Sequence, residues 1–163
     1  MKNWSFKGKT YGERTGASPC FYSGLMMQTK EGQQEAIKPP SYPGEWSLRQ
    51  IQDVITRPLP DSMLKARSQG GKEITYIPWF SVNMILDKYA PGWSWDISRL
   101  ETTTERIFLV GRLSIPTADG VVSRDATGTE QLDTKFSDPS SKAESMAFRR
   151  ASARFGLGLH LYL

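Results

Sequence analysis

The apolar positions of the chain fall into distinct periods, and those periods set the expected elements. Leu48, Ile51 and Ile55 share one face of a helix behind Ser47, which predicts a capped helix over 48–55 that ends at Arg57-Pro58-Leu59-Pro60. Glu73–Ile77 (EITYI) is rich in β-formers and follows the turn signal Gln69-Gly70-Gly71, so a short strand is expected there. Pro78 suits the first position of a second helix. Along it Val82, Ile85 or Leu86, and Tyr89 recur at helical spacing until Pro91-Gly92. The period then changes to two. Trp93, Trp95 and Ile97 alternate with Ser94, Asp96 and Ser98, as in a half-buried strand. Ile107, Leu109, Leu113 and Ile115 share one face of a second strand, with Phe108, Val110 and Arg112 on the other. Asp119-Gly120 is a hairpin signal leading into Val121–Glu130. Asp138-Pro139 opens a long last helix as cap and N1 proline, and Gly156 stops it.

The order is helix, short strand, helix, three antiparallel strands and a long helix. It predicts an α+β fold with an antiparallel β-β-β-α core, a three-strand meander packed on a long helix, and an additional helix and short strand before it. At about 100° per residue, Ala143, Ala147, Ala151 and Phe155 form one stripe of the last helix, with Phe148 at its edge. Small residues there would let the helix lie close to the sheet. Residues 1–45 show no sustained period and read as an irregular Gly/Pro/Lys-rich arm, with a short hairpin near Cys20–Met27. Within it Ala36–Gly44 (AIKPPSYPG) reads as a stiff polyproline-like connector. Residues 46–163 then form one domain, whose apolar end Gly158–Leu163 is expected to be paired, buried or in contact with a neighbour.

Composition supports a globular chain, with 38% hydrophobic and 23% charged residues. No apolar run approaches the roughly 20 residues of a membrane span. The first residues lack the apolar stretch of a secretory signal, and the single cysteine, Cys20, rules out an internal disulfide. Both point to a reducing, cytoplasmic setting. The net charge of 21 − 17 = +4 permits a nucleic-acid partner without requiring one. Residues 90–163 are neutral overall, with nine basic and nine acidic groups, so any DNA surface must come from local arrangement.

Catalytic signals are missing where they would be expected. His160 is the only histidine, and nothing links it with the distant Cys20 as a nucleophilic pair. Gly70-Gly71-Lys72-Glu73 fails as a phosphate loop, because Ala66 and Glu73 stand where glycine and a hydroxyl residue are needed. Asp125, Glu130, Asp133 and Asp138 have the spacing of any solvated strand and loop, which leaves a magnesium-dependent nuclease as a minor alternative. No enzyme and no cofactor are expected. The last helix is more informative: Lys142 and Arg149 lie on nearly one line, Arg150 and Arg154 form a second beside it, and Glu144 sits apart. Arginines near a helix C-terminus also serve the macrodipole, so this band alone is ambiguous. Arg67 and Lys72 flank the Gly-Gly turn, and Arg112 and Arg124 on the hairpin are further cations that would have to converge. Trp93 and Trp95 suit base stacking, though core packing is the commoner role for alternating tryptophans.

Several of these segments together carry a resemblance. Tyr76–Trp79, Ala90–Trp95, Val110–Pro116, Ala126–Glu130 and the run FRRASARFGLGLHLY (148–162) resemble the DdrA family of bacterial DNA-damage-response proteins. Through it the chain, over about 46–163, is similar to the Rad-fifty-two family of single-strand annealing proteins. The most specific part is Gly-Thr-Glu followed by the Phe-Arg-Arg-Ala…Arg-Phe-Gly helix at the right separation. The resemblance implies subunits assembled as a homo-oligomer, ring or arc, with an outer groove that holds single-stranded DNA by its backbone. It maps the paired basic residues of the family helix onto Arg149 and Arg150, and the cations around the Gly-Gly turn onto Arg67 and Lys72. A further family lysine falls at Ser141, with Lys142 beside it, and Arg154 stands one place from a family arginine. The implied function is ATP-independent strand annealing in DNA repair and recombination, with protection of 3′ ends and, as partners, a recombinase or single-strand binding protein. The alternative is a recombinase-loading or structural module with incidental DNA binding.

Overall fold

The computed structural model describes residues 37–132 and 138–162, so the expected hairpin near Cys20–Met27 lies outside the described residues. Helix α1 spans Leu48–Ile55, as its periodicity predicts. Ser47 and Gln50 close a capping box: the Gln50 amide donates to the Ser47 hydroxyl, and the Ser47 amide donates to Gln50 Oε1 at 2.9 Å. Ahead of it the connector does not run on as an extended rod. It turns at Tyr42–Glu45, where the Glu45 amide donates to the Tyr42 carbonyl and Gly44 takes φ +78°.

A single 3₁₀ turn, Asp61–Met63, leads into a two-strand sheet of β1 (Lys65–Gln69) and β2 (Lys72–Tyr76). The Gly70-Gly71 turn joins them with both φ angles positive, a conformation that favours glycine at both places. β1 was not legible in the periodicity, and β2 starts and ends one residue before the expected 73–77. Helix α2 covers Trp79–Tyr89, so Pro78 is its extended N-cap rather than its first helical residue. Val82, Ile85, Leu86 and Tyr89 are buried as their spacing requires. The helix packs against α1, whose Ile51, Val54 and Ile55 are buried, and Trp46 stacks on Tyr89 at 6.3 Å.

The main sheet has the order β3-β4-β5, with β3 Ser94–Thr102, β4 Arg106–Thr117 and β5 Gly120–Gln131, all antiparallel. On β4, Ile107, Leu109, Leu113 and Ile115 are buried and Phe108 and Arg112 are exposed, which is the expected division of faces. Helix α3 (Pro139–Ala153) lies across β4 and β5, with Asp138 as N-cap and Pro139 inside the first turn. Ala143, Ala147 and Ala151 are fully buried beneath it. Gly128 of β5 explains how close the helix comes, since a Cβ there would fall 1.8 Å from the Ala143 carbonyl oxygen. This α+β architecture, three antiparallel strands against a long helix, is the fold expected from the sequence, with the one short strand expected before it paired as a two-strand hairpin.

One expectation for β3 is corrected. Ile97 pairs with Gly111 and Leu100 with Leu109, so both point to the side that α3 occupies, yet they remain 48% and 53% exposed. The helix covers β4 and β5 and leaves the inner face of the edge strand bare beyond Trp95. A register shift between Ile97 and Arg99 also interrupts the simple alternation. Past α3, Gly156 turns the chain with φ +107°, Phe155 and Leu157 are buried, and Leu159–Tyr162 forms a 3₁₀ turn whose Leu159 and Tyr162 stay largely exposed. Within the apolar end Gly158 is buried and Leu161 half-buried, so its described part is in contact with the fold at some positions and open at others. Among the described residues no helix is long and apolar enough to cross a membrane.

Candidate nucleic-acid interface

The β1–β2 hairpin and α3 face each other across a groove of about 900 Å³, and the cations of both elements line it. Two-residue alternation puts Lys65 and Arg67 of β1 on one side of the hairpin, and Lys65 pairs with Tyr76 of β2. Arg67 lies diagonally across from Tyr76, its guanidinium carbon 5.6 Å from the ring centre. From α3, Arg149 reaches the same ring at 5.2 Å. Its Nε donates to the Ser145 carbonyl one turn back, which fixes the side chain against its own helix. Tyr76 therefore holds two guanidinium groups at one point of the groove.

That arrangement has an electrostatic cost. Arg149 is half-buried, and burial pushes its pKa below the ordinary arginine value, with Arg67 and Arg150 adding repulsion in the same direction. An arginine this far down still carries its charge at neutral pH. Glu130 and Asp138 line the same groove, but no ion pair among the described residues reaches Arg149, so an anion bound beside Arg67 and Arg149 would give them a direct counter-charge. Among the described residues the ion pairs are Arg99–Glu101 and Arg112–Asp125, and neither involves the groove cations.

The groove continues past Arg67 and Arg149 into a pocket of about 180 Å³ that Arg150 and Tyr162 also line. Arg150 is exposed, and one of its terminal nitrogens donates to the Thr127 carbonyl of β5 at 3.1 Å. Lys142 lines the wider part of the groove. The structure thus brings Arg67, Lys142, Arg149 and Arg150 along one path, and adds Lys65, whose Nζ sits 5.1 Å over the Phe80 ring. Lys72 stands at the hairpin tip opposite Gln69, and Arg154 caps the far end of α3, so neither lines this path. Lys65 had no signal of its own in the sequence, and Tyr76 had none beyond its place in the expected strand and in the Tyr76–Trp79 resemblance. Only the pairing of β1 with β2 places them.

The remaining candidates have other partners. Arg112 makes a two-pronged ion pair with Asp125, at 2.7 and 2.9 Å, and Arg124 lies over the Phe155 ring, so neither joins the groove. Asp133 lies outside the described residues, and among those described no three His, Cys, Asp or Glu side chains gather as a metal site. Trp93 and Trp95 both pack on Phe148, at 5.5 and 5.0 Å, and both remain partly exposed.

Asp138 has a structural task at the groove's edge. The Ser140 hydroxyl, the Ser141 hydroxyl and the Ser141 amide all donate to its carboxylate and hold its pKa at about 2. A depressed carboxyl stabilises the fold above its unfolded value near 3.8, and that contribution is lost as pH falls toward 2. Asparagine caps helices as well but does not titrate. We expect the melting temperature of Asp138→Asn to run at a constant offset from wild type above pH 4.5. Below that, the offset should shift in the variant's favour by pH 2.5, as read by circular dichroism.

No family model matches the chain. It is 40% identical over 118 residues to "DNA repair RAD52-like protein 1, mitochondrial" of Arabidopsis thaliana, an alignment covering 71% of this chain and 67% of that protein. It is 37% identical over 113 residues to "DNA repair RAD52-like protein 2, chloroplastic" of the same plant, covering 66% of this chain and 57% of that one.

Proposed function

The chain belongs to the RAD52-like family of DNA repair proteins, and from that premise we propose that it binds and anneals single-stranded DNA without catalysis and without ATP. The observation that carries the reading is the convergence of Arg67 and Arg149 on Tyr76, with Arg150 and Lys142 along the same groove. Guanidinium and ammonium groups grip phosphates and leave base edges free, which is what pairing with a second strand requires. Pairing itself supplies the free energy, so no nucleotide hydrolysis is needed.

Backbone gripping makes affinity indifferent to sequence and steeply dependent on salt. Each phosphate neutralised on a single strand contributes a slope of about −0.7 in log K against log salt, so four cations give roughly −3 per subunit. Fluorescence anisotropy of a labelled 20-mer at several salt concentrations should show that slope. A flat response would favour the alternative, a recombinase-loading or structural module in which DNA is incidental.

Homo-oligomerisation as a ring or arc belongs to the same proposal. The bare apolar side chains Ile97 and Leu100 on edge strand β3 supply surface that a second copy would cover. The run Phe148–Tyr162 supports the closer kinship with DdrA, and with it action on bacterial DNA in the cytoplasm and shielding of 3′ ends. A recombinase or single-strand binding protein completes the proposed set of partners.

A further inference from the structure

Beside the phosphate groove lies a second opening, and nothing in backbone gripping uses it. Its volume is about 280 Å³, at the small end of ligand pockets, which run from about 300 Å³ upward. Trp79, Trp93, Trp95 and Phe148 supply aromatic faces, and Asn83 and Ser145 add hydrogen-bonding groups. Such a space suits one planar heterocycle and is too small for a folded segment of chain.

The aromatic walls are held ready. The Trp95 indole N–H donates to Glu144 Oε1 at 3.2 Å, and its ring lies over Gly111, where a Cβ would come within 2.1 Å of it. The Trp93 indole N–H donates to Asp87 at 2.7 Å. Both polar edges are therefore tied back to the protein, and the rings pay little further ordering cost when something stacks on them. Trp79 differs. It opens α2 with 52% of its surface exposed, and its neighbouring ring, Phe80, meets it edge-on at 6.0 Å.

Trp79, Ser141 and Ser145 line both the groove and this chamber, so the two are adjoining spaces with Trp79 as the shared wall. We propose that the chamber receives one nucleobase, turned out of the strand whose phosphates lie along Arg67 and Arg149, and that Trp79 is its stacking platform. This rests on the groove being a single-strand site and adds a second kind of contact to it. Each subunit would then take in one base and leave its neighbours outside for pairing.

The experiment compares a labelled 20-mer with the same oligomer carrying abasic residues throughout, on the full chain and on Trp79→Ala. Trp79→Phe serves as a control that keeps a ring. Stacking on one aromatic gives wild type roughly tenfold tighter binding to the base-containing oligomer than Trp79→Ala shows. On the abasic oligomer, where Trp79 acts only as a wall of the groove, the variant should lose far less than on the base-containing one, and Trp79→Phe should recover most of that difference. If Trp79→Ala loses nothing on the base-containing strand while salt-sensitive binding persists, the chamber serves something other than DNA and the proposal fails with the groove intact. Binding of neither oligomer by wild type would overturn both readings together.

Discussion

Replacing Arg149 and Arg150 together by alanine should lower single-strand affinity by about a hundredfold or more. Each guanidinium offers charge-assisted hydrogen bonds to phosphate, worth about 1.5–3 kcal/mol apiece, and about 1.4 kcal/mol is a factor of ten. The two are not equivalent. Arg150 is exposed and leans on the Thr127 carbonyl, so its loss subtracts a phosphate contact and little else. Arg149 also lies against Tyr76, and truncating it removes some packing of the hairpin on α3. Arg149→Lys is the informative companion, because it keeps the charge but loses the planar fork and the hold on Ser145. Anisotropy titrations alongside circular dichroism and size-exclusion chromatography would read binding, fold and assembly separately. Full affinity in a folded double variant would refute the groove as the DNA site.

The second large effect concerns the fold. Gly128→Ala should cost about 3 kcal/mol, at the upper end of overpacking penalties, because the new methyl meets main chain rather than a movable side chain. The Ala143 carbonyl would stand 1.8 Å from it and the Ala147 amide nitrogen 3.0 Å. Relief requires α3 to lift from β5, which would open contacts along the whole Ala143–Ala147–Ala151 stripe. For a domain of this size that corresponds to a fall in melting temperature of roughly 10 °C. The same change at Gly120, where nothing lies within 4 Å, is the natural comparison, although its φ of +113° adds strain of its own. A melting temperature for Gly128→Ala within a degree or two of wild type would mean that the helix does not sit where the structure puts it.

The sequence revealed most where local chemistry and periodicity agreed. Helix α1 was readable because Ser47 caps it and three apolar residues share its face, and α3 because Asp138-Pro139 opens it. β1 was not readable, since Lys65–Gln69 (KARSQ) has neither β-formers nor alternation of apolar residues. The Gly-Gly turn folds it back on β2, and that pairing, not propensity, makes it a strand. Ile97 shows a different limit. Alternation told which way it points but not whether α3 extends far enough to cover it. The candidate interface was legible as a list of cations, but its shape was not. Tyr76 as a shared platform, Lys65 in the groove and Trp79 between two spaces all depend on contacts between elements far apart in sequence.

Among the described residues the β1–β2 hairpin pairs with no other strand, and Lys72–Thr75 of β2 are exposed throughout. Two strands on their own are marginal in water, so this wall of the groove depends on its contacts with the rest of the fold: Lys65 over Phe80, Arg149 against Tyr76 and the buried Ile77. The opposite wall, α3, is anchored across the main sheet. One wall of the groove is therefore part of the main core and the other is held by a few side-chain contacts, so local opening of the second would leave the core contacts of α3 in place. For the proposed single-strand site, a groove built this way would allow entry from the side, so that a strand without free ends, or one engaged at both ends, would not have to be threaded in.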